Sequence, residues 1–116
     1  MNTKTVEKAD WEAYFNRFSK ESGAAITEIE VAGLDIGDQI EAEWLSLNGI
    51  SYDARNDVIA IDLESKDGES LEHMIHQPVE LVVQEDVEGI ASLTIVDAAG
   101  HKQILHLKKA LSLPAA

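Results

Sequence analysis

The chain has 116 residues, 22 of them acidic against 9 basic, a formal net charge of −13 and no cysteine. That length fits one domain with one core, and the lack of cysteine excludes a disulfide framework and thiol catalysis. So acidic a surface repels phosphate backbones and anionic lipid headgroups, which argues against nucleic-acid and membrane partners.

A hydrophobic content of 45% is ordinary for a globular chain. The first twenty residues mix Lys4, Glu7, Lys8, Asp10 and Glu12 with aromatics, which is not the apolar run of a secretory signal. No stretch approaches the ~20 apolar residues of a membrane span. The expectation is a cytoplasmic single domain over residues 1–116, with 1–8 and 114–116 as flexible ends.

In chain order, the first element is a helix. Asp10 is a suitable N-cap, and Trp11, Tyr14, Phe15 and Phe18 follow at spacings that stack them on one face. Ser22-Gly23 supplies a stop. The period then changes from helical to alternating. Ile29 and Val31 alternate with Glu28 and Glu30, residues 33–38 read as a turn, and 39–47 read as a strand. Asn48-Gly49 is a strong two-residue hairpin signal, so Ile50 and Tyr52 are expected to begin a return strand. Arg55-Asn56-Asp57 turns the chain again.

Val58 to Leu63 is nearly continuous and rich in β-branched residues, as in a central strand. Residues 65–70, with Gly68, form a loop. Residues 71–77 fit either helix or strand, and Pro78 marks a break or an edge there. Val79, Leu81 and Val83 begin another strand, residues 85–89 form an acidic turn, and Leu93 and Ile95 follow. After Ala98-Ala99-Gly100, Gln103, Leu105 and Leu107 are expected to close the sheet. A helix followed by about seven or eight short strands, without crossover helices, specifies an α+β fold. It has an N-terminal amphipathic helix and an antiparallel β-meander closing into a barrel or sandwich.

Asp10-Trp11, Phe15, Phe18, Glu30, Asp35-Ile36-Gly37, Leu47, Gly49-Ile50 and the run from His73 to Pro78 occur in one order along nearly the whole chain. That order resembles a family of small bacterial domains of unknown function. The resemblance implies a shared architecture and brings no activity, cofactor or catalytic residue with it.

Two constellations could carry chemistry. Glu28/Glu30 and Glu41/Glu43 are carboxylate pairs ~7 Å apart along presumed strands. An inverting glycosidase uses such a separation, but any acidic strand face has it too. His73 and His76 form an H-x-x-H and are the candidate metal ligands. On a helix they would share a face; on a strand they point to opposite faces. Nucleophile elbow, P-loop and dinucleotide motifs are absent, so no cofactor is expected.

Three function classes follow. A non-catalytic binding or protein-interaction module leads, ahead of an enzyme, because folding accounts for nearly every notable residue. A small hydrolase or metal-dependent enzyme is second, and an acidic protein masking a basic partner is third. Because a meander leaves edge strands, a symmetric homodimer is expected.

Overall fold

The computed structural model describes residues 2–21, 26–33, 37–86 and 89–108, and the backbone alone at 21, 37–43, 86 and 89. Its elements are β1 (Asn2–Thr5), a 3₁₀ turn (Lys8–Asp10), α1 (Trp11–Glu21), β2 (Ile26–Gly33), β3 (Gly37–Asp53) and β4 (Val58–Glu64). They continue with β5 (Ser70–His76), β6 (Pro78–Asp86), β7 (Gly89–Asp97) and β8 (Lys102–Lys108). The expected stop at Ser22-Gly23, the inside of the turn at 34–36, the middle of the acidic turn at 87–88 and the 114–116 tail lie outside the described residues.

The helix follows from its aromatic spacing. Trp11, Phe15 and Phe18 are buried, Tyr14 is half-buried, and Glu12, Asn16, Arg17 and Lys20 face solvent. The helix packs mainly on β3. Trp11 meets Tyr52 edge-to-face at 5.2 Å, and its indole N–H donates to the Val6 carbonyl at 2.8 Å.

The eight strands form one antiparallel sheet in the order β1-β6-β7-β8-β2-β3-β4-β5. The expected meander is present as two runs, β2 to β5 and β6 to β8, joined by pairing of β8 with β2. Two expectations are corrected. Among the described residues no ladder joins the ends of the order, so the sheet is open and not a closed barrel. Strand β8, expected to close the sheet, lies inside it, between β7 and β2. Strand β1, which adds an edge beside β6, carries no apolar alternation; all four of its residues are exposed.

Asn48-Gly49 is not a hairpin. Strand β3 runs straight through it, from Gly37 to Asp53. Leu47 opposes Leu63 and Gly49 opposes Asp62, so Asn48 is an extra residue in a bulge. A type I′ turn needs positive φ at both residues, and neither is among the positive-φ positions. Tertiary packing overrides the local signal here. The Ser19 hydroxyl of α1 donates to the Ile50 carbonyl at 2.9 Å and accepts from the Ile50 N–H at 3.0 Å, so the helix holds the strand beside the bulge. The turn that reverses the chain comes later, where the Asp53 carboxylate accepts the N–H groups of Arg55 and Asn56.

The sheet is folded over on itself. Only Gln77 separates β5 from β6, yet these strands lie at the last and second places of the order. A flat sheet cannot satisfy that link. Inward residues of both halves share one core, with Ile59, Ile61, Leu63 and Ile75 from one end and Leu81, Val83, Leu93 and Ile95 from the other. Phe15, fully buried in that cluster, reports on it. Phe15→Ala is expected to cost about 3–5 kcal/mol, the range for emptying a filled core position. The cost would be read as a lowered urea midpoint at constant slope. An unchanged midpoint would mean that the aromatic face is not packed.

Candidate functional site

Two polar clusters and one bare strand edge stand out. The first cluster sits where the chain passes from β5 to β6. The Gln77 N–H donates to the Asp57 carbonyl at 2.9 Å, and the Gln77 carbonyl accepts from Ala98 N–H at 2.9 Å. Asp57 and Gln77 both take the left-handed backbone region, at φ 55° and 53°, a strain of about 1–3 kcal/mol each. Lys8 Nζ donates to the Pro78 carbonyl at 3.0 Å, pairs with Asp57 Oδ1 at 3.0 Å and lies over the Trp11 ring. The Tyr52 hydroxyl donates to the same Asp57 oxygen at 2.7 Å.

Two groups of this cluster are shifted. Burial, then the hydrogen bond to Asp57 and its charge, push the Tyr52 phenol up to about 12. Tyr52 and Lys8 hold the Asp57 carboxyl below the usual aspartate range. A general acid–base pair works best with a pKa near the operating pH. These two groups are pushed away from neutrality in opposite directions, so the cluster is a clamp between the β3–β4 turn, the 3₁₀ turn and the start of β6.

The second cluster begins at His73. Its Nε2 lies 2.6 Å from Gln103 Oε1 across the core rim, and Gln103 Nε2 donates to Asp97 Oδ2 at 3.3 Å. Asp97 Oδ1 accepts the backbone N–H groups of Ala99 and His101, each at 3.0 Å, and the His101 ring lies 3.7 Å from Asp97 Oδ2. With its amide nitrogen toward the carboxylate, Gln103 presents only its oxygen to His73, which assigns the proton to His73 Nε2. The network ties β5 to β8 and to the turn between β7 and β8.

The H-x-x-H is thereby divided. His73 lies on the inward side with Ile75, while His76 is exposed on the outward side with Glu72 and Met74. His106 pairs instead with Glu30, at 3.1 Å. Among the described residues no group of three or more His, Cys, Asp or Glu is placed to hold a metal ion. Of the carboxylate pairs, Glu30 serves His106, and the Glu41 and Glu43 side chains lie outside the described residues. Gln103 is a site residue that motif reading misses. Its signal is a polar side chain in phase with Leu105, at a position that must be inward.

The third feature is β5 itself. It pairs with β4 on one side, and among the described residues no element packs along the other. Leu71 and Met74 on this strand are 46% and 44% exposed, beside Val79 at 56%. The opposite edge differs: β1 is four residues of polar sequence, and Val6 and Lys8 continue to cover β6 through the Leu81 and Pro78 carbonyls. Directly opposite each other on β4 and β5 stand Asp62 and Glu72, both exposed. Like charges so placed destabilise a ladder. No helix among the described residues is long and apolar enough to cross a membrane.

Residues 2–116 match a family described as "Family of unknown function (DUF5335)". A protein of Aquifex aeolicus (strain VF5), named only as uncharacterized, is 39% identical over 114 residues, covering 98% of this chain and 99% of its own length. No solved structure matches.

The clamp gives a prediction. Because the folded state holds Asp57 ionised to lower pH than the unfolded chain does, Asp57 stabilises the protein above the ordinary aspartate pKa. That contribution fades as the pH falls through the folded value. Asp57→Asn removes the charge and keeps a residue that tolerates the left-handed backbone. Urea midpoints of the wild type are expected to fall more steeply than those of the variant between roughly pH 5 and pH 2. Parallel curves would remove the Asp57 charge from the clamp.

Proposed function

The chain belongs to the DUF5335 family, a family of unknown function, and from that premise we propose that it is a non-catalytic protein-interaction module whose binding element is the free edge of β5. The observation that carries the reading is a seven-residue strand, paired with β4 on one side and with no described element along the other, with Leu71 and Met74 exposed. Native sheets commonly blunt such edges with short strands, charge or a covering loop, because an open edge is a template for pairing with another chain. The β1 end of this sheet is short and polar, whereas β5 is long and partly apolar. An extended segment added to β5 would gain main-chain hydrogen bonds, with side-chain contacts supplying specificity.

The chemistry elsewhere supports a binding role over an enzymatic one. Lys8, Tyr52 and Asp57 are engaged with one another, and His73, Gln103 and Asp97 hold strands together. A second reading has its own observation: Asp62 beside Glu72 presents paired carboxylates at the edge. A basic segment would neutralise them, as a protein that masks a basic partner requires.

The test is a photo-crosslinking amino acid placed at position 74, with position 12 on the exposed side of α1 as control, in cells that make the protein. A covalent adduct with a protein is expected at 74 and none at 12. No adduct at 74, or equal labelling at both positions, would contradict the proposal.

A further inference from the structure

We infer that the partner at this edge is a second copy of the same chain, pairing β5 with β5 antiparallel about a two-fold axis at Met74. The inference rests on the edge reading above and adds the partner and the register. Met74 then opposes Met74 of the second copy, His73 opposes Ile75, and Glu72 opposes His76.

Three observations converge on that register. First, Glu72, Met74 and His76 share the outward face of β5 and are all exposed. Second, Glu72 already stands opposite Asp62 of β4, which leaves uncompensated negative charge at the edge of a protein of net charge −13. Third, a cation-capable side chain, His76, lies four residues along the same face. A two-fold at Met74 brings each His76 to the Glu72 of the other copy, so both pairs form at once. The exposed thioether between them meets its own symmetry mate.

Other centres lose this match. An axis at His73 sets Glu72 opposite Met74, and one at Ile75 sets His76 opposite Met74; each leaves Glu72 without His76. A slip by one residue also exchanges the inward and outward faces. Only same-parity registers keep Leu71, His73 and Ile75 on the core side, and of these the Met74 axis sets Glu72 against His76. An interface in which the same patch serves both subunits is the usual solution for a small self-associating domain.

The chain has no cysteine, so a single introduced thiol reads the register directly. Directly opposed residues in an antiparallel pair have Cα atoms about 4.5–5.5 Å apart, within disulfide reach. Met74→Cys is expected to give a disulfide-linked dimer under mild oxidation. Glu72→Cys is not, because the two positions 72 would lie about 13 Å apart along the ladder. In sedimentation, His76→Glu is expected to weaken dimerisation about tenfold by setting Glu against Glu on both sides of the axis. The swap Glu72→His with His76→Glu is expected to restore it.

The outcomes separate the two claims. A photo-adduct at 74 to a different protein, with Met74→Cys remaining monomeric, overturns self-pairing and leaves the edge reading standing. Absence of any adduct and of any dimer ends both. A dimer that crosslinks through Glu72→Cys and not through Met74→Cys overturns the register.

Discussion

One residue, Gln77, connects strands that stand at the last and second places of an eight-stranded hydrogen-bonding order. Neighbouring strands are about 4.8 Å apart, so β5 and β8, four steps apart, would be about 19 Å apart in a flat sheet. His73 on β5 and Gln103 on β8 nevertheless approach to 2.6 Å. The connection forces the sheet to fold over, and the folded sheet in turn makes a core from residues that no flat meander could bring together. The corner is held by backbone groups: Gln77 bonds through its N–H to Asp57 and through its carbonyl to Ala98. Each bond contributes about 0.5–1.5 kcal/mol net, comparable to the strain of the left-handed residues it fixes. The partly exposed Lys8–Asp57 ion pair adds little by itself.

The fold-over also decides which groups remain available. It turns the inward side of β5 toward β8, so His73 becomes a cross-link, while the outward side, with Glu72, Met74 and His76, stays in solvent. On the other flank, α1 packs on β3 and its Ser19 holds the strand beside the Asn48 bulge. A Cβ at Gly49 would lie 3.7 Å from the Ser19 hydroxyl, an ordinary contact, so the hydrogen bonds of Ser19 to Ile50 hold the approach and it does not depend on glycine. One half of the molecule is thus sealed by aromatic burial. The other ends in β5, along whose far side no described element packs.

Much of this was legible where local and tertiary preferences agree. The aromatic stripe specified α1, the β-branched run specified β4 as an interior strand, and Gly68 and Gly100, at φ 82° and 87°, marked real loops and turns. The misreadings occur where long-range packing decides. Asn48-Gly49 has the composition of a hairpin, but the helix holds it in a bulge. Strand β1 has no apolar period, because it is exposed on all sides and exists through pairing with β6. The break expected at Pro78 is present, since β5 ends at His76 and β6 begins at Pro78; that this break is also a corner follows only from the strand order. The opposite-face geometry of His73 and His76 followed from strand periodicity. The partner of His73 did not, since Gln103 lies thirty residues away and meets it only across the folded sheet.

The central claim is the folded-over sheet, and proton–proton contacts in solution test it most directly. The account predicts nuclear Overhauser contacts between the His73 imidazole and the Gln103 side-chain amide, alongside the ordinary cross-strand contacts of β4 with β5. Contacts within each ladder but none between His73 and Gln103 would contradict it, because a sheet that lay flat would hold those side chains far beyond the reach of the effect.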